Sequence, residues 1–151
     1  MKTFTLVLVA AALAACSHRT IGGTNIPDNR ETREVLDTFS KFKNAFEARD
    51  SRALLALVAP TYYDAADPSH PVDYDTLKKK LPHDFDNVPG VKLEVTIKDI
   101  EVKGAEARLD YYQVLRYAVK TPTDEKWKPS SDDARMRFVR VDGDWKIASG
   151  L

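Results

Sequence analysis

The chain has 151 residues, 23 basic and 23 acidic side chains, and no formal net charge. That length suits one domain with a proper core and is short for two. The even charge balance gives no electrostatic reason to expect nucleic acid, which calls for a concentrated basic face, and the single cysteine excludes an internal disulfide framework.

The first sixteen residues, Met1 to Cys16, set the rest of the chain in context. Lys2 supplies one positive charge, and Phe4 to Ala15 carries no charge and a single polar side chain, Thr5. An apolar run of this length is too short for the ~20 residues of a membrane-spanning helix. It has the length of an export-signal core, and Ala14 and Ala15 are the small residues that a cleavage site admits. Leu13-Ala14-Ala15-Cys16 resembles the lipobox of bacterial lipoproteins. That resemblance implies cleavage after Ala15, a diacylglycerol thioether on Cys16 and acylation of the new N-terminus. Ser17 in the next position, by the same resemblance, implies sorting to the outer membrane on its periplasmic side. The expected organisation is a signal peptide over 1–15, a lipidated N-terminus and flexible tether over 16–27, and one folded domain over 28–151. The tether, with Gly22-Gly23 and no periodicity, could extend roughly 35 Å at ~3.3 Å per residue. Without Lys2 the mature chain has 22 basic against 23 acidic residues, a net charge of about −1.

Asp28 with Glu31 three residues on has the spacing of a helix N-terminal capping box. Val35, Leu36, Phe39, Phe42 and Phe46 then recur at three and four, which predicts one apolar face of a helix reaching about Arg49. Asp50-Ser51 caps a second helix carrying Leu54, Leu55, Leu57 and Val58, with Pro60 as its stop. Tyr62, Tyr63 and Asp64 follow, then a loop rich in Asp and Pro. Asp73 or Asp75 caps a third short helix with Tyr74, Leu77 and Leu81, which Pro82 is expected to end. Lys78-Lys79-Lys80 reads as a solvated face diluted by nearby aspartates.

Beyond Val88-Pro89-Gly90 the period changes from 3.6 to 2. Val91, Leu93, Val95 and Ile97 alternate with polar residues, and the apolar phase then slips by one to Ile100 and Val102. Such a slip would turn the strand inside out unless a β-bulge near Lys98-Asp99 absorbs it. Ala105 to Lys120 reads as a second strand, 121–132 as a polar connection with Trp127 laid over the sheet end, and Ala134 to Val141 as a third strand. Asp142-Gly143 marks a tight hairpin into a last strand at Trp145–Ser149. The fold class is therefore α+β, with three N-terminal helices packed on a curved four-stranded antiparallel sheet.

The long amphipathic helix, the Tyr-Tyr-Asp segment and the closing Phe138-Val139-Arg140-Val141-Asp142-Gly143-Asp144-Trp145-Lys146-Ile147 hairpin resemble a nuclear-transport-factor-2-like domain, over residues 30–149. The resemblance implies a cone with a pocket at its open end, and no single function, because the fold hosts isomerases, cyclases and non-catalytic binders alike. The leading expectation is a non-catalytic module that binds a partner protein or a small apolar ligand, walled by Phe39, Phe42, Tyr62, Tyr63, Tyr112 and Tyr117. The alternatives are an isomerase- or cyclase-like enzyme, with Asp64 (beside Tyr62 or Tyr63) or Asp110 (beside Tyr112 and Arg116) as the base, and a structural subunit of an envelope assembly. His18, His70 and His83 lack ligand spacing, so neither a metal nor a cofactor is expected. The membrane, through the Cys16 lipid, is the expected partner.

Overall fold

The computed structural model describes residues 20–22, 24–120 and 124–151. The signal-like leader, Cys16 and His18 lie outside the described residues. Two helices open the domain. Helix α1 (Arg30–Glu47) starts one residue later than the capping-box spacing suggests: Asn29 caps it by accepting from the Thr32 N–H at 2.9 Å. Asp28 instead takes the Arg33 guanidinium four residues after the cap. Val35, Phe39, Phe42 and Ala45 of α1 are buried. Arg49, at φ 54°, ends this helix and hands the chain to α2 (Ser51–Ala56), whose cap Asp50 accepts from the Ala53 N–H at 2.9 Å.

The segment read as a tether is tied down at its end. The Ile21 N–H donates to the Ile26 carbonyl at 2.9 Å, and Ile26 is buried in the main core. Two short strands that no alternation could reveal follow α2. In β1 (Tyr63–Asp64) and β2 (Val72–Asp73), Tyr63 pairs with Asp73 and Asp64 with Val72, and two residues are too few to show a period. Asp73 then caps α3 (Tyr74–Asn87) through the Thr76 N–H at 2.8 Å.

Helix α3 does not stop at Pro82. The proline removes one backbone donor and so weakens the helix locally, but Leu77, Leu81 and Phe85 lie four residues apart on one face and are all buried. Burial of that continuous stripe carries the helix past the proline.

The sheet is an antiparallel meander in the order β3-β4-β5-β6, formed by β3 (Val91–Lys103), β4 (Glu106–Lys120), β5 (Glu125–Val141) and β6 (Asp144–Ser149). The register shifts between Ile97 and Asp99, so Lys98 is the extra residue that keeps both apolar phases of β3 on one face. Asp142 and Gly143, at φ 51° and 92°, turn β5 into β6 with the two positive φ angles of a type I′ hairpin.

Strand β5 is much longer than its apolar alternation indicates. It begins at Glu125, and its first nine residues are all exposed. They pair with β4 on one side only, since the β6 pairing starts at Arg137. This half-strand has nothing to bury and hence no period to read. Pro129, which has no N–H, and Lys126 and Lys128 are the residue types that discourage further strand pairing at such an edge. Trp127 folds back over Gly90, where an added Cβ would stand 2.9 Å from the indole ring.

The helices cover one face of the sheet. Leu109, Tyr111, Met136, Phe138, Trp145 and Ile147 from the sheet meet Val35, Phe39 and Phe42 from α1 in a single core. The opposite face is charged: Lys98 pairs with Asp133, Arg108 with Asp99, and Arg135 with Asp110. Among the described residues no helix is long and apolar enough to cross a membrane.

Candidate functional site

An apolar cavity of about 470 Å³ lies between α3, the end of α1 and the helix-covered face of the sheet. Each element contributes the residues its own period dictates. From α3 come Leu77, Leu81 and Phe85 on one stripe, flanked by Lys80 and Asp84. From β4 come Tyr111, Gln113, Leu115 and Tyr117, every second residue and therefore one face. Phe42 and Phe46 close the α1 side, and Val91 and Leu93 of β3 the opposite side. A run of aromatic contacts stiffens the helical wall: Phe42 to Phe46 at 5.7 Å and Phe46 to Phe85, edge-on, at 5.8 Å. A volume of this size falls in the range of small-molecule sites, which are mostly apolar with a few placed polar groups.

Those polar groups are few. Lys80 and Asp84 face each other at 3.9 Å on α3, both substantially exposed. Deeper in, Tyr111 is 3% exposed, and burial pushes its pKa up to about 12. Neither the Tyr111 hydroxyl nor the Gln113 amide has a side-chain hydrogen-bond partner among the described residues.

Gly150 and Leu151 also line the cavity, and a clamp holds them in place. Asp64 Oδ2 accepts from the Gly150 N–H at 2.7 Å, and the Tyr62 hydroxyl accepts from the Leu151 N–H at 3.3 Å. Burial above all, then the neighbouring Asp64 charge, raises the Tyr62 pKa to about 12, against the opposing effect of the Leu151 N–H. Only glycine fits at position 150: its φ is +99°, and a Cβ would stand 2.2 Å from the Arg135 carbonyl oxygen.

The residues singled out from sequence are thus distributed over several places. Phe42 and Tyr117 line the cavity. Phe39 is core behind it, 5.0 Å from the Tyr111 ring. Tyr62 and Asp64 form the clamp, 3.4 Å apart. Tyr63 is 57% exposed. Tyr112 lies on the charged face with Lys98 over its ring at 5.8 Å. Asp110 is on that face too, held by Arg135 at 2.6 and 3.1 Å and by Arg108 at 3.3 Å. Leu77, Leu81, Phe85, Tyr111, Gln113 and Leu115 complete the walls without having been singled out as pocket residues. Strand period alone could have found three of these, because residues sharing a face with Tyr117 are 115, 113 and 111, whereas Tyr112 must face the other way.

The Arg135 guanidinium, more than its burial opposes, holds the Asp110 carboxyl below the usual carboxylate range. A depressed native pKa stabilises the fold above the unfolded value of about 3.9, and that contribution fades as the pH falls through the native value. Asp110→Asn is therefore expected to lower the urea midpoint at pH 7, with the difference from wild type vanishing in strong acid. A constant difference at every pH would contradict this pairing.

A larger hollow, about 560 Å³, lies against the start of α1, and among the described residues its walls are Asp28, Asn29, Arg30, Arg33, Glu34 and Asp37. With one element behind it and charged side chains in front, it is open surface. Among the described residues no group of three His, Cys, Asp or Glu side chains could hold a metal ion.

No family model matches the chain, and no curated protein matches it in sequence. Solved structures do match in shape. A proposed dehydratase of the nuclear-transport-factor-2-like family from Streptomyces avermitilis aligns with a TM-score of 0.70 at 16% identity, covering 79% of this chain and 92% of that one. A proposed scytalone dehydratase from Novosphingobium aromaticivorans gives 0.68 at 18% identity, covering 80% of each chain. A conserved protein from Planctomyces limnophilus gives 0.68 at 12%, covering 80% of this chain and 98% of that one. The chain therefore has the nuclear-transport-factor-2-like fold, an α+β domain with a four-stranded antiparallel sheet. At these identities the likeness reaches the fold and not the chemistry.

Proposed function

We propose that this protein is a lipid-anchored envelope protein whose domain binds a small apolar ligand without transforming it. Cys16 carries the lipid after cleavage of residues 1–15, and the domain stands at the periplasmic side of the outer membrane. The observation that carries the binding reading is the apolar cavity between α3 and β4, rimmed by a Lys-Asp pair and floored by Tyr111. Absence of catalysis is supported by where the two candidate bases sit. Asp64 is occupied with the Gly150 N–H, and Asp110 with Arg135 on the opposite face. The dehydratase roles proposed for two structural neighbours therefore have no counterpart base among the cavity walls other than Asp84, which is exposed and beside Lys80. A docking or structural role on the sheet's outer face is disfavoured by its charges, since such interfaces usually need a contiguous apolar patch.

The test is binding of the uncharged fluorescent probe N-phenyl-1-naphthylamine to the full chain in phospholipid nanodiscs, with empty discs subtracted. Wild type is expected to enhance its emission saturably. Leu115→Trp, which fills the cavity from β4, is expected to lose that enhancement while keeping the wild-type circular dichroism. Equal binding by both would overturn the assignment of the site.

A further inference from the structure

The cavity offers hydrogen bonds but no free charge, and this asymmetry names a ligand class. Tyr111 lines the cavity and is almost wholly buried, its ring pressed against Phe39 at 5.0 Å. The ring is thus fixed from behind, and its hydroxyl has no protein partner among the described residues. Among the described residues the buried side-chain atoms left without a partner are Arg108 Nε and Trp145 Nε1, so the Tyr111 hydroxyl is not sealed in the protein; open to the cavity that Tyr111 lines, it is a position for a ligand atom. Like any tyrosine hydroxyl, with an ordinary pKa of about 10, it is protonated at neutral pH and can act as a donor. Gln113 follows two residues along β4 on the same face, about 7 Å further along the strand. Its amide is likewise without a side-chain partner among the described residues, and it can donate or accept.

We infer that the cavity selects an uncharged, largely apolar molecule bearing acceptor oxygens, such as a ketone or an ester, with one oxygen taking the Tyr111 O–H and a second polar group meeting Gln113. This rests on the cavity being the ligand site. Charge argues against an ionised ligand. Lys80 is the one cation of the cavity walls among the described residues, and Asp84 already faces it at 3.9 Å. A carboxylate drawn in among Leu77, Leu81, Phe85, Leu93 and Leu115 would lose its hydration without gaining an unpaired cation. Burying a charge in that way costs far more than burying a neutral oxygen that is hydrogen-bonded.

Three ligands with the same ring system separate these possibilities: 2-acetylnaphthalene, 2-isopropylnaphthalene and 2-naphthoate, a ketone, a hydrocarbon and an anion. Each is titrated against probe-loaded full chain in nanodiscs, for wild type and for Tyr111→Phe. In wild type the ketone is expected to displace the probe best and naphthoate worst. Tyr111→Phe is expected to weaken the ketone by roughly 2- to 13-fold, the range that a neutral hydrogen bond supplies, and to leave the hydrocarbon unchanged. If the probe binds but ketone and hydrocarbon compete equally, or naphthoate competes best, the ligand class is wrong while the site stands. If Tyr111→Phe weakens all three alike, the hydroxyl has no selective role and the inference fails. If the probe does not bind wild type at all, the site itself fails and the ligand class with it.

Discussion

Trp145→Ala is expected to lower the stability of the domain by about 3–5 kcal/mol, the usual cost of removing a buried core tryptophan. Against a typical total of about 5–15 kcal/mol this is a large share. Trp145 is 4% exposed and lies beside the turn that closes the sheet. The Arg140 guanidinium covers its ring at 4.5 Å. That arginine in turn binds Glu34 of α1 at 2.8 Å and the Gly143 carbonyl at 2.8 Å. The indole therefore sits under a bridge between the first helix and the last hairpin. Two residues on, Ile147 exchanges backbone hydrogen bonds with Leu57 and Ala59, at 2.8 Å each, and ties the same strand to the end of α2. Because the indole N–H is buried and has no hydrogen-bond partner among the described residues, Trp145→Phe should cost much less than Trp145→Ala. Urea unfolding of the three forms checks both statements, and an unshifted midpoint for Trp145→Ala would show that the hairpin is not part of the core.

Cys16→Ser is expected to move the protein from the membrane pellet to the soluble fraction and to abolish incorporation of labelled fatty acid. The reason is additive burial of methylenes at ~0.8 kcal/mol each: one acyl chain holds a protein marginally, whereas several anchor it stably. Serine cannot form the thioether, so all chains are lost together. The leader offers no replacement, since its apolar run from Phe4 to Ala15 is too short to span a bilayer. Label persisting in Cys16→Ser would defeat the lipoprotein reading and leave the cavity untouched.

How far the fold could be read in advance followed how much apolar surface each element buries. Helix α1 was legible because Val35, Phe39 and Phe42 must all face inward. The bulge at Lys98 was legible because the apolar phase of β3 changes there and both halves are covered. The first half of β5 was not, because Lys126 to Asp133 buries nothing and carries a proline, so its only determinant is pairing with a distant strand. Pro82 misled for the converse reason: a local rule against helix yielded to Leu81 and Phe85, which tertiary packing buries. The site was less legible than the fold. Phe42 and Tyr117 lie on elements with clear periods, but Asp64 and Tyr62 look like an acid–hydroxyl pair by proximity in sequence. Only the return of Gly150 and Leu151 to their side, across some 86 residues, reveals them as a clamp.

The central claim is that this fold serves as a ligand chamber at a membrane. Its most direct test is to purify the full chain from its own membranes, extract bound small molecules into organic solvent, and compare wild type with Leu115→Trp by mass spectrometry. An uncharged apolar compound present at close to one per wild-type chain, and missing from Leu115→Trp, is the predicted result. Identical extracts from the two proteins would contradict it.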